Sequence, residues 1–166
     1  MNNHKLIRTL GTWFGLGDFP FMPGTFGTLG GIPVYILLVL IKPLFLNTMV
    51  YNSFYFIFLV TFFAISVYIA DICEKEIFKK EDPQAVVIDE VLGFLTTLFL
   101  INPVGMKDTF IAMGLAFILF RFFDITKIGP IYKSQNFGNG VGVVLDDFLA
   151  GLLGNFILVC IWTKFF

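Results

Sequence analysis

Between Lys42 and Asp71 the chain runs for 28 residues without a charged side chain. A stretch of about 18 or more apolar residues is long enough to cross the hydrocarbon core of a bilayer as a helix. In lipid, helices and closed barrels are the structures that satisfy every backbone N–H and C=O internally. The remainder of the sequence is of the same kind. Charged residues make up 14% of the chain, hydrophobic residues 57%, and 23 residues are phenylalanine; a soluble domain is about 25% charged. Too little polar surface is left to solvate a globule, so residues 1–166 are expected to form a single integral membrane domain. A net charge of -1 and the lack of a basic stripe argue against a nucleic-acid partner.

Charges divide the rest of the chain into shorter uncharged intervals, 19–41, 91–106, 109–120 and 148–163. Some of these reach spanning length only when polar residues at one end join the helix. Helices are predicted near 27–46, 50–73, 87–103, 107–124 and 146–165, with breaks at Lys42-Pro43, Asn102-Pro103 and Gly129-Pro130. The expected fold is all-α: a polytopic membrane helix bundle of about five transmembrane helices with a re-entrant or loop-rich N-terminal segment. Cys73 and Cys160 lack metal-ligand spacing and read as free thiols packed as small apolar groups. The N-terminus has Lys5 and Arg8 but no long apolar core, so a cleaved signal peptide is not expected.

Five alternating passes would bring Asp18, Asp71, Asp89, Glu90, Arg121, Asp124, Asp146 and Asp147 to one membrane face. Of the 11 Lys and Arg residues, Lys5, Arg8, Lys75, Lys79, Lys80, Arg121, Lys127 and Lys133 share this face, while Lys42, Lys107 and Lys164 lie on the other. The positive-inside rule then directs the acidic face to the cytoplasm.

Two similar strings carry the acids. Val86-Val87-Ile88-Asp89-Glu90-Val91-Leu92 and Val143-Val144-Leu145-Asp146-Asp147-Phe148-Leu149 each set a carboxylate pair ahead of an apolar run. A helix dipole favours acids in the first turn, which accounts for one such pair more readily than for two on one face. Two carboxylates 4 Å apart repel by about 4 kcal/mol at an effective dielectric of about 20, so several together need a cation or a shared proton. Oxygen-only ligands favour Mg²⁺, Mn²⁺ or Ca²⁺. Asp89, Glu90, Asp124, Asp146 and Asp147 are therefore candidate catalytic and metal-binding residues. Arg121 and Lys127, near Asp124 at helical spacing, suit phosphate oxygens. Gly24, Thr25 and Thr28 open a helix where backbone N–H groups and hydroxyls could receive an anion. A second glycine-rich stretch, Gly138-Asn139-Gly140-Val141-Gly142, precedes the other acidic string.

Elimination narrows the chemistry. His4 is the single histidine and lies in the terminal tail, which disfavours a Ser–His–Asp triad. No Walker loop or dinucleotide fingerprint is present. Metal-assisted chemistry by carboxylates is what remains.

Pro23-Gly24-Thr25-Phe26-Gly27-Thr28, Ile88-Asp89-Glu90-Val91-Leu92-Gly93, Arg121-Phe122-Phe123-Asp124 with Lys127, and Leu145-Asp146-Asp147 followed by Ala150-Gly151 together resemble the phosphatidylglycerophosphatase A family. The resemblance runs from about Gly15 to Gly154. Phe19 before Pro20 and Ile128 after Lys127 depart from the family's usual pattern. The resemblance implies a small enzyme of the bacterial inner membrane, active toward the cytoplasm, that removes the terminal phosphate of phosphatidylglycerophosphate with Mg²⁺ as cofactor. Its partner would be the phospholipid substrate in the bilayer. Phosphatases of other membrane lipid phosphates, and a cation transporter whose acids line an ion path, are the alternatives the residues leave open.

Overall fold

The computed structural model describes residues 2–129, 131–132 and 137–166; Pro130 and Lys133, used above as a helix break and a surface charge, lie outside them. Among the described residues six α-helices follow one another: α1 (Asn2–Gly11), α2 (Pro23–Ile41), α3 (Thr48–Ile72), α4 (Ile88–Thr97), α5 (Gly105–Thr126) and α6 (Asn139–Phe165). No strand occurs among the described residues. The segments containing α2, α3, α5 and α6 are long and apolar enough to cross a membrane. Pro23 opens α2 at a position where its missing N–H costs nothing. Asn47 caps α3 by accepting a hydrogen bond from the Val50 amide, and a π-helical turn, Cys73–Phe78, extends α3 at its far end. Large apolar side chains such as Leu37, Leu40, Phe56, Ile57, Ile118 and Phe156 stay exposed, as lipid-facing positions require.

The third expected pass differs from the prediction. In place of a helix over 87–103 stands a ten-residue α4, buried along nearly its whole length and packed against all four long helices. Nine of its ten residues are buried, polar ones included, and α4 is the centre of the bundle. Its last carbonyls would be costly to leave bare there. Side chains from the surrounding helices satisfy them: the Tyr55 hydroxyl donates to the Leu95 carbonyl at 2.8 Å, and Asn155 Nδ2 donates to the Thr97 carbonyl at 3.0 Å and also to that of Phe99. Glycines allow the close packing. A Cβ at Gly151 of α6 would lie 2.5 Å from the Gly93 carbonyl oxygen of α4, and one at Gly93 would collide with the Phe120 ring.

The expected start of the last helix also moves. Residues 139–145 are helical, because Gly140 lets α6 begin directly against the α3 backbone near Asp71. Asp146 and Asp147 therefore sit about two turns inside α6 rather than at its head. The N-terminal segment is a built element too. The Val87 amide donates to the Gly11 carbonyl at 2.8 Å, Trp13 Nε1 donates to the Gly30 carbonyl at 2.9 Å, and Gly17 packs against the Ala85 carbonyl. The loop that leads into α4 is held from both sides.

Asn155→Ala should lower the thermal unfolding midpoint in detergent by the equivalent of about 1–2 kcal/mol, since it strips two carbonyls of their donor. An unchanged midpoint would show that water or a shifted backbone replaces Asn155.

Candidate active site

Asp89 and Glu90 occupy the first turn of α4, where free amides and the helix dipole favour negative charge. Asp147 reaches the same place from α6. Carboxylate oxygens of these three residues lie within 4.8 Å of one another. Asp89 and Asp147 are each only 5% exposed, which acids seldom are unless paired. Yet Asp89 Oδ1 and Glu90 Oε2 are buried with no hydrogen-bond partner among the described residues. Burial, and then its neighbour Glu90, hold the Asp89 carboxyl well above the usual carboxylate range; burial pushes the Glu90 carboxyl up to about 8. Crowded, oxygen-only ligands of this kind fit a hard divalent cation, and these three residues could hold one.

Cations border the trio. Arg121 Nη1 pairs with Asp124 Oδ2 at 2.5 Å, and Lys127 Nζ pairs with Asp146 Oδ2 at 2.7 Å. Burial opposes the Lys127 charge, but the hydrogen bond and the attraction of Asp146 outweigh it, so the ammonium is held more firmly than usual. Lys127 adopts a left-handed backbone conformation that ends α5 and turns the chain back toward α6. Gly24 joins both sides of the site: a Cβ there would lie 2.6 Å from Glu90 Oε1 and 2.9 Å from Arg121 Nη1. Only glycine leaves that gap between acid and guanidinium.

These groups line an open cavity of about 530 Å³ whose wall includes Gly24, Asp89, Glu90, Arg121, Asp124, Lys127, Asp146 and Asp147. Eight of the ten residues singled out from sequence thus share one cavity. Thr28 does not reach it; it is buried and its hydroxyl donates to the Gly24 carbonyl at 2.8 Å. Thr25 is likewise absent from the wall. Asp124 and Asp146 pair with the cations, and the Asp124 carboxyl also lies within hydrogen-bonding reach of Asp147. Asp18 pairs with Arg8 at 2.7 Å on the surface, and His4 pairs with Glu76. Two polar lining residues were not foreseen, Asp82 and Gln84. Their one sequence signal is the turn-like Asp82-Pro83, which says nothing of proximity to a carboxylate seven residues on.

The family model of phosphatidylglycerophosphatase A matches residues 9–162. The chain belongs to that family. Its relatives include a Bacteroides thetaiotaomicron protein named "Putative phosphatidylinositol-3-phosphatase", 36% identical over 92% of this chain and 90% of its own length. The phosphatidylglycerophosphatase A of Escherichia coli K12 is 30% identical over 90% of this chain and 79% of its own, and that of Haemophilus influenzae 29% identical over 93% and 88%. No solved structure matches the chain. Membership of the phosphatidylglycerophosphatase A family makes the chain a phosphatase, and its four long apolar helices make it a membrane protein.

Burial raises both the Asp89 and the Glu90 carboxyl, Glu90 to about 8, so a cation entering the site must displace protons. Divalent-cation affinity of the purified chain should therefore rise with pH between about 6 and 9, with proton release seen by calorimetry in buffers of different ionisation enthalpy. A pH-independent affinity would place the cation elsewhere.

Proposed function

We propose that the chain hydrolyses phosphatidylglycerophosphate to phosphatidylglycerol and inorganic phosphate, with Mg²⁺ as cofactor. The observation that carries this reading is the buried Asp89–Glu90–Asp147 trio sharing a cavity with Arg121 in a member of a lipid phosphatase family. The whole chain acts as one domain in the inner membrane of a bacterium, with the cavity toward the cytoplasm. The excess of Lys and Arg at the acidic end supports that orientation, and the bacterial relatives support the compartment.

Asp89, Glu90 and Asp147 would hold Mg²⁺, which when bound supplies positive charge and Lewis acidity at the phosphate. Arg121 offers a rigid guanidinium fork to phosphate oxygens, and Asp124 fixes its direction. Lys127, steadied by Asp146, adds a second positive charge. Gly24 lets the phosphate approach the N-terminus of α2 closely, where backbone amides favour an anion. Thr25 and Thr28 act from behind this turn, Thr28 by closing a hydrogen bond onto the Gly24 carbonyl. Water attacks phosphorus, the bond to the head-group oxygen breaks, and that oxygen takes up a proton. The acyl chains remain in the bilayer beside α2 and α5, so the lipid need not leave the membrane.

A second substrate has one observation in its favour. The relative with 36% identity is named for a phosphatidylinositol phosphate rather than for phosphatidylglycerophosphate.

Phosphate release from phosphatidylglycerophosphate by the detergent-purified chain should require Mg²⁺ and stop with a chelator. Asp89→Asn, Asp146→Asn and Asp147→Asn should each lower the rate on the order of a hundredfold or more, while Asp18→Asn stays within about twofold of wild type. Full activity in the Asp89 and Asp147 variants would sink the site assignment.

A further inference from the structure

Glycines in the interior of α2 and α6 are tightly packed. A Cβ on Gly27, Gly30 or Gly31 of α2, or on Gly140, Gly151 or Gly154 of α6, would meet a neighbouring atom at 3.1 Å or less. Gly114, in the middle of α5, differs: among the described residues nothing lies within 4 Å of the position its Cβ would take. Glycine weakens a helix interior relative to alanine, and in membrane helices small residues stand where another body packs close. The gap at Gly114 marks a place where that body is not part of the described chain.

The gap is continuous with the active-site cavity along one side of α5. Ile125, Ile118 and Gly114 stand seven and four residues apart, so they stack on a single helix face. Ile118 is exposed, and Ile125 is exposed while also lining the cavity that holds the acids and Arg121. Met22, at the start of α2, lines it too. Met22 and Ile125 are the two large apolar side chains of that wall that stay open, at 69% and 70% exposure. The helices that carry them pack against each other and are long and apolar enough to cross the membrane. The cavity therefore reaches hydrocarbon between the ends of α2 and α5. From Ile125 the line descends about three turns, or about 16 Å, to Gly114. One hydrocarbon leaflet is about 15 Å thick.

We propose that Gly114, Ile118 and Ile125 form a seat for one acyl chain of the lipid whose phosphate occupies the cavity. This rests on the lipid-phosphate reading above and concerns the apolar end of the substrate. With the phosphate beside Arg121, the diacyl part leaves between Met22 and Ile125, where the wall is apolar. One chain then runs down α5 until its end fills the gap at Gly114. Phe110 and Phe122, both exposed, flank the line on either side. The occupant is a lipid chain rather than a second copy of the protein. A protein helix laid on the same line would cover Ile125 and close the opening the substrate needs. The seat selects for length, because a chain that ends short of Gly114 leaves the gap empty and loses its contacts.

The test compares phosphatidylglycerophosphate bearing palmitoyl chains with the same lipid bearing hexanoyl chains, using the full chain in mixed micelles. Gly114→Leu, which fills the gap, should raise KM for the palmitoyl substrate about tenfold more than for the hexanoyl one, with kcat within about twofold. Leu37→Phe, a lipid-facing change on α2 off the line, should alter neither by more than about twofold. Equal effects of Gly114→Leu on both substrates, or none on the palmitoyl one, would overturn the seat while leaving the phosphatase in place. So would a fall in the oligomeric mass of that variant by light scattering, which would assign the gap to a second copy. A palmitoyl substrate carrying a diazirine at the end of one chain, photolysed on ice, should cross-link to residues 110–118 of wild type and not of Gly114→Leu. Cross-linking there without any phosphate release from this lipid would support the seat and overturn the substrate assignment. Phosphate release with cross-links only elsewhere would overturn the seat alone.

Discussion

Three carboxylates forced together inside a helix bundle are the constraint around which this chain is arranged. Charge is expensive away from water, and Asp89, Glu90 and Asp147 converge where water is scarce. What surrounds them offsets that cost. The N-terminus of α4 supplies partial positive charge, while Arg121 and Lys127 bring full charges on the neighbouring walls. Arg121 and Lys127 are themselves steadied by Asp124 and Asp146, so that positive and negative groups alternate around the cavity. Two oxygens of the trio still lack hydrogen-bond partners among the described residues. A site that is almost but not fully compensated is well suited to a cation and a phosphate that arrive together.

The same constraint explains the short central helix. α4 must present its first turn to Asp147, about two turns inside α6, so it has fewer residues to spend on the remaining depth. Its early end exposes carbonyls inside the bundle, and Tyr55 and Asn155 answer them from α3 and α6. These hydrogen bonds join the chemistry to the scaffold. The helix that carries Asp89 is fastened at its far end by the helix that carries Asp147.

Much of this was legible in the chain. Uncharged intervals located the long helices, and alternation of passes gathered Asp89, Glu90, Arg121, Asp124 and Asp147 without any structural information. The misreadings share a physical origin. Hydropathy reports length in lipid, not burial in protein, so a ten-residue interior helix and the turns after it looked like a span over 87–103. Gly140 started α6 earlier than 146 through contact with α3, a tertiary effect that local sequence does not encode. Thr25 and Thr28 carry hydroxyls in the right stretch, but helix periodicity turns Thr28 inward. Asp82 and Gln84 gave no periodic signal, since they reach the cavity from a loop.

Gly24, Asp89, Arg121 and Asp147 come from four separate helices, and the loop before Asp89 is pinned by Gly11 near the beginning of the chain. Contacts so distant in sequence close late in folding. During synthesis, the carboxylate of the last helix enters the bundle only after the other three elements have emerged. An incomplete chain therefore displays no assembled hydrolytic centre to the lipids around it. Catalytic competence and completion of the fold arrive as one event.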